Sequence, residues 1–210
     1  MSTIYQDRTE AGVGVANRLT ALIGQPDVIV LGLVRGGVPV AAAVADRLGA
    51  PLDVLVVRKL GVPWAPEVAF GALGPGGVQV RTDGPTTLEP EQADEVVHRE
   101  TAELARRERL YRADRPPLDL TDRTAVIVDD GLATGATARV AVAVARELGA
   151  QRVVVAVPVG AEEAYETLVA EADEVVCLQR PAEFGAVSRF YEDFHEVSDD
   201  EVTAALAAHR

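Results

Sequence analysis

Cysteine and lysine each occur once, and aromatic residues make up only 4% of the chain. The single Cys177 cannot close an internal disulfide, and its place in the apolar run Val175–Leu178 reads as a buried strand thiol. His98, His195 and His209 make no metal-ligand spacing with it. With so few aromatics, the core has to be built from Val, Ala and Leu. No apolar run approaches the length of a membrane span. The N-terminal stretch has no apolar leader and no transit-peptide character, so no membrane partner is expected and the cytoplasm is the expected location. Positive charge is scarce as well: 20 basic residues face 33 acidic ones, for a net charge of −13. That balance argues against a general affinity for nucleic acid, which needs a basic face. It leaves room for a small anionic ligand, because local N–H groups and arginines can outweigh the global field. No Gly-Lys-Ser/Thr triplet occurs, so a Walker loop is excluded.

What is present is ordinary for one α/β core with a small appendage: 210 residues, 48% hydrophobic and 25% charged. The chain is organised around Val126–Thr137. Ala125–Val128 is a short apolar run rich in β-branched residues, the pattern of a buried strand. Two acids follow, Asp129 and Asp130, then the small-residue loop Gly131–Gly135. A segment with Val140, Val144 and Leu148 spaced like one helical face comes next. Such a loop at a helix N-terminus is an anion site, because its N–H groups lack intrahelical partners and the helix dipole favours negative charge. Thr134 and Thr137 add hydroxyl donors. A bare phosphate nest has no use for two adjacent carboxylates. The pair makes sense for a ligand that carries hydroxyl donors, or a hydrated Mg²⁺, beside a phosphate. A ribose 5-phosphate meets that description, with its cis-diol on Asp129 and Asp130 and its phosphate on Gly131–Thr137. The bland alternative is a strand–turn–helix with two solvated aspartates near its N-cap.

This stretch resembles the phosphoribosyl-pyrophosphate (PRPP) motif of type I phosphoribosyltransferases. Further segments extend the resemblance over nearly the whole chain: Asp7-Arg8-x-x-Ala11-Gly12, Val34-Arg35-Gly36-Gly37, Arg58-Lys59-Leu60-Gly61, Phe70-Gly71-Ala72 and Tyr191-x-Asp193-Phe194. Together they look like a group known as predicted phosphoribosyltransferases, whose acceptor the resemblance does not supply. The fold implied is an open parallel α/β sheet with helices on both faces, a lid insertion and a small C-terminal hood, all within one domain, 1–210. The resemblance implies PRPP and a small nitrogenous acceptor as substrates, and Mg²⁺ as cofactor on Asp129 and Asp130. It places PRPP contacts on Gly131, Leu132, Ala133, Thr134, Gly135, Ala136 and Thr137. A homodimer is one assembly it allows. Several purine-salvage relatives have an acid at the position of Ala133, serving as a base toward the acceptor; its absence puts a hypoxanthine- or guanine-type reaction of that kind in doubt. The alternative to an enzyme is a non-catalytic PRPP-binding regulator of nucleotide metabolism, although no basic surface or added DNA-binding domain is visible.

Taken in order, Arg8–Leu22 reads as an opening helix with Val15, Leu19 and Leu22 on one face. Asp27–Leu33 reads as a buried parallel strand. It breaks at Val34-Arg35-Gly36-Gly37 before an alanine-rich helix that runs through Leu48. In related enzymes a loop here binds pyrophosphate through backbone N–H groups and one basic side chain. There the peptide after the basic residue can be cis. Arg35, Gly36 and Gly37 fit that role.

Leu52–Val57 is the next expected strand, closed by Arg58 and Lys59. A composition that otherwise uses arginine suggests a need for a compact ammonium at Lys59. In the family a basic residue at this strand end meets the pyrophosphate. From Lys59 to Pro90 the chain carries six Gly and five Pro, interrupted by Glu67–Leu73 and Val78–Arg81, and reads as an excursion with a short hairpin and not as core. The resemblance makes segment 59–90 a flexible lid, with Trp64 and Glu67 as residues to watch. Pro90–Arg112 reads as a long charged helix. Arg152–Val157 and Glu174–Leu178 read as strands, and Glu162–Ala170 and Ser198–His209 as helices. Segment 180–197, with Phe184, Phe190, Tyr191 and Phe194, matches the place of the hood that recognises the acceptor. Its aromatics either stack on a base or fill a small satellite core.

Overall fold

Val28–Leu33 carries no polar side chain, and it forms β1 with all six residues buried. A strand so apolar can only sit with both faces covered. In the computed structural model, which describes residues 3–81, 88–112 and 115–209, it lies next to the centre of a five-stranded parallel sheet. The other strands are β2 (Leu52–Leu55), β6 (Thr124–Val128), β7 (Arg152–Val159) and β8 (Glu174–Gln179), in the order β2-β1-β6-β7-β8. The register pairs Val30 with Leu52 and with Val126, and Val126 with Val154.

Alternation along each strand divides the core in two. Val28, Val30, Val126, Val128, Val154 and Ala156 point to one face. There they meet α1 (Arg8–Ala16), α2 (Gly37–Leu48), α3 (Pro90–Arg112) and α6 (Asp199–Ala208). Ile29, Leu31, Ala125, Ile127, Val153 and Val155 point to the other, against α4 (Ala136–Glu147) and α5 (Glu162–Val169). Short Val, Ala and Leu side chains thus fill both layers.

Three differences from the sequence expectations are instructive. The opening helix ends at Ala16, and a separate 3-10 turn at Thr20–Leu22 follows. Leu19 and Leu22 still reach the core, because a three-residue spacing also shares a face in the tighter helix. The second strand is shorter than expected and stops at Leu55.

The third difference is the excursion. It is a three-stranded antiparallel sheet of β3 (Arg58–Val62), β4 (Ala65–Leu73) and β5 (Gln79–Arg81), in the order β3-β4-β5. It does contribute core: Leu60 and Leu73 pack into the first layer and Ala72 into the second. Glycine and proline content marked it as an excursion with a short hairpin outside the core, yet Gly71 serves close strand approach. A Cβ there would stand 2.7 Å from the Val80 carbonyl oxygen. Trp64 is exposed, and the Glu67 side chain lies outside the described residues.

The C-terminal segment 180–197 carries a 3-10 turn at Val187–Phe190 and pairs with the start of the chain. The Tyr5 amide donates to the Phe190 carbonyl at 2.8 Å, and the Glu192 amide to the Tyr5 carbonyl at 2.8 Å. Tyr5, Ala11, Val159, Phe190 and Tyr191 form a satellite core, with Phe184 and Phe194 packed against it.

Candidate active site

The strand order fixes where a ligand can sit. From β1 the chain crosses outward to β2, whereas β6 joins the opposite edge of β1. The loops that follow β1 and β6 therefore diverge, and a crevice opens at the carboxyl ends of these two strands. One wall is Val34–Gly37 and the other is Asp129–Gly135. They touch. A Cβ on Gly36 would overlap the Asp130 carboxylate, and one on Gly37 would stand 2.5 Å from the Val128 carbonyl oxygen. Only glycines allow this approach. The Val34–Arg35 peptide is cis. It precedes the basic residue, whereas the resemblance placed a cis peptide after it.

The acid pair forms the floor. Asp129 accepts from the Asp130 amide at 2.9 Å. Asp130 accepts on Oδ2 from Arg8 Nε at 2.9 Å, and its backbone carbonyl accepts from the Tyr191 hydroxyl at 2.7 Å. Burial, and then the neighbouring Asp130 charge, hold the Asp129 carboxyl well above the ordinary carboxylate range. Burial also raises Asp130, against the lowering effect of Arg8. Arg8 thus pairs with Asp130, while Asp129 has no ion pair among the described residues.

Beyond the acids, the loop runs into α4. Its N-cap Gly135 has φ 71°, in the left-handed region. The Leu132 amide is committed to the Val159 carbonyl at 2.9 Å, and the Leu132 carbonyl accepts from Ala161, which pins the loop to β7. Gly131 lies under Val187 of the C-terminal segment. The Ala136 amide reaches the Thr134 hydroxyl at 3.4 Å. Among the described residues the amides of Ala133, Thr134, Gly135 and Thr137 make no hydrogen bond. Ala133, Thr134 and Thr137 are exposed. A row of unpaired donors at a helix N-terminus is an anion cradle.

The basic residues separate. Arg35 stands at the crevice, ion-paired with Glu196 and 3.9 Å from Asp199. Arg58 and Lys59 face opposite sides of β3, as neighbours on a strand must. The Arg58 guanidinium donates to Glu100 of α3 at 2.6 and 2.8 Å. Lys59 lines a cleft of about 650 Å³ between the antiparallel sheet and α4, together with Arg81, Ala136 and Arg139. The structure therefore brings Arg35, Gly36 and Gly37 to the acid pair and Lys59 toward the start of α4. Arg58 stays against α3.

Sequence spacing missed two members of the site, Arg8 and Tyr191. They are 122 and 61 residues from Asp130, so no local periodicity could join them to it. Their presence in the family segments was the only signal. Among the described residues no group of three or more His, Cys, Asp or Glu side chains could hold a metal. A divalent ion here would have Asp129 and Asp130 as its protein acids. That fits Mg²⁺, which takes one or two carboxylates and otherwise keeps water or ligand oxygens.

The open α/β sheet thus carries an acid pair and a row of unpaired amides at its switch point. The phosphoribosyl transferase domain family matches residues 13–195, and the chain belongs to it. It is 53% identical to the "Putative phosphoribosyl transferase" of Mycobacterium tuberculosis strain H37Rv over 99% of its own length. It spans about half, 47%, of that relative. The crystal structure of TT1426 from Thermus thermophilus superposes with a TM-score of 0.90 at 44% identity, covering 99% of both chains. AQ2163 from Aquifex aeolicus shares the fold, with a TM-score of 0.52 at 13% identity over 96% of this chain and 85% of that one. Among the described residues no helix is long and apolar enough to cross a membrane.

Proposed function

We propose that the protein transfers the 5-phosphoribosyl group of PRPP to a nitrogenous acceptor with release of pyrophosphate. The observation that carries this reading is the acid pair with a single guanidinium beside a helix N-terminus whose amides are unpaired. A ligand with a diol next to a phosphate satisfies both halves at once. The phosphate takes the amides of Ala133, Thr134, Gly135 and Thr137 and the two threonine hydroxyls. The ribose hydroxyls donate to Asp129 and Asp130. Arg35 and the amides near Gly36 and Gly37 face the side on which pyrophosphate would sit, and Lys59 approaches from the antiparallel sheet.

In the reaction the anomeric carbon–oxygen bond breaks, with its electron pair leaving on pyrophosphate. A carbon–nitrogen bond forms from the acceptor lone pair, and the acceptor proton passes to solvent. Positive charge develops on the ribose ring, as in glycosyl transfer, close to the two carboxylates that hold it. Arg35 and Lys59 counter the charge of the leaving group, and fixed charges of this kind require little reorganisation at the moment of reaction. Mg²⁺, held on Asp129 and Asp130, would supply further neutralisation of pyrophosphate when bound.

Calorimetric titration with PRPP, with and without Mg²⁺, tests the ligand. Saturable binding is expected, and the Asp129→Asn/Asp130→Asn variant should lose it while remaining folded by circular dichroism. Equal affinity in that variant would overturn the assignment. Pyrophosphate release on adding nitrogenous acceptors then separates a transferase from a PRPP-binding regulator.

A further inference from the structure

Arg8 is the first residue of α1, and its side chain is only 8% exposed. Its guanidinium serves three partners. Nε donates to Asp130 Oδ2 at 2.9 Å, Nη1 donates to the His195 carbonyl at 2.9 Å, and the group lies 4.0 Å over the Phe194 ring. It therefore bridges the acid pair and the C-terminal segment.

Further ties of that segment reach the same place. The Tyr191 hydroxyl donates to the Asp130 carbonyl, Val187 covers Gly131, and Glu196 pairs with Arg35. The Asp193 amide donates at 2.9 Å to Gln6, two residues before Arg8. Segment 187–197 thus rests on the ligand-binding loops themselves.

We propose that Arg8 is a positioning residue that makes seating of segment 187–197 and occupancy of the acid pair a single event. The inference rests on the PRPP reading above. A ribose that engages Asp130 competes with Arg8 for the carboxylate, and a shift of the guanidinium reaches His195 and Phe194 through the same planar group. Such coupling is reciprocal: a ligand that stabilises the seated segment binds more tightly because the segment is seated. Lysine could not reproduce it. An ammonium on a flexible stem keeps the charge but cannot hold a carboxylate, a carbonyl and a ring in fixed directions.

Amide hydrogen exchange of the full chain, with and without saturating Mg·PRPP, reads the coupling directly. In the wild type PRPP should slow exchange across residues 187–197. Arg8→Lys should bind PRPP about 10- to 100-fold more weakly, as expected for loss of a charge-assisted hydrogen bond. At saturation it should show no ligand-dependent protection of 187–197 while retaining protection of 131–137. Tyr191→Phe removes the parallel tie and should halve the response, which keeps the test open if Arg8→Lys folds poorly. Undiminished protection in both variants would overturn the inference, as would PRPP binding by the wild type with no change at 187–197. Failure of the wild type to bind PRPP at all would overturn the function reading, and this inference with it.

Discussion

Asp53 and Asp130 both contact arginine, the first buried and the second half-buried, and the number of cations around them differs. Asp53, on β2, receives Arg112 in a forked pair at 2.9 and 3.1 Å, with Arg115 at 3.5 Å. The two arginines also donate to the carbonyls of Pro116, Leu52 and Leu206. There one acid is served by two cations, and every direction is closed by protein. At the crevice Arg8 pairs with Asp130, and the adjacent Asp129 has no ion pair among the described residues. The first arrangement is complete and joins the end of α3 and α6 to the sheet edge. The second leaves Asp129 without a cation. The number of cations around each acid distinguishes the two places.

The comparison can be broken at either end. The largest effect is expected at Asp53. Arg112→Met leaves its carboxylate with Arg115 alone and should cost about 3 kcal/mol of stability in urea unfolding, while PRPP affinity of the folded protein is unchanged. A loss under 1 kcal/mol would mean that the pair contributes little beyond a surface ion pair.

A smaller effect of opposite sign is expected at the crevice. Asp129→Asn should raise stability by about 1 kcal/mol near neutral pH, a typical return for relieving strain at a functional site, even as PRPP binding is lost. The Asp129 carboxyl titrates above its ordinary 3.8 because burial, and then Asp130, oppose its charge. Its ionisation therefore works against folding above that raised value. The gain should shrink as pH falls toward 3.8 and vanish below it. An unchanged or lower unfolding midpoint would show that the acid pair is not strained.

The smallest effect belongs to an exposed cluster, where solvent screens the charges. His195 lies between Glu201 and Asp193, at 2.9 Å from each, and these contacts raise its pKa above 6.5. Its contribution is full below pH 6.5 and is lost as pH rises through the raised value. Thermal unfolding of the wild type should show a slight decline over that window. His195→Gln should flatten it.

Much of this was legible in the sequence, for reasons specific to each element. β1 and β6 were unmistakable, since four or more consecutive apolar residues in an open α/β pattern must be buried on both faces. The unit from Asp129 to α4 was legible because its anion cradle is local: the acids, the small residues and the helix start are contiguous. The antiparallel sheet was read as less than it is. Its glycines and prolines signalled an excursion with only a short hairpin and no core, but Leu60, Ala72 and Leu73 are held by strand pairs and core contacts that composition does not register. Arg58 and Lys59 were both expected at the ligand; the alternation of β3 sends one to Glu100 and the other to the α4 cleft.

The sequence by itself determined the layered α/β class, the buried strands and the order of acids, small residues and helix start in the loop, because each follows from short-range pattern. Tertiary structure alone decided that Arg8 and Tyr191 attach to Asp130, that Gly36 must be bare for two loops to meet, and which of two neighbouring cations lines the cleft beside α4. Those contacts join residues far apart in the chain, and their meeting depends on strand order and pleat direction, which no single stretch of sequence contains.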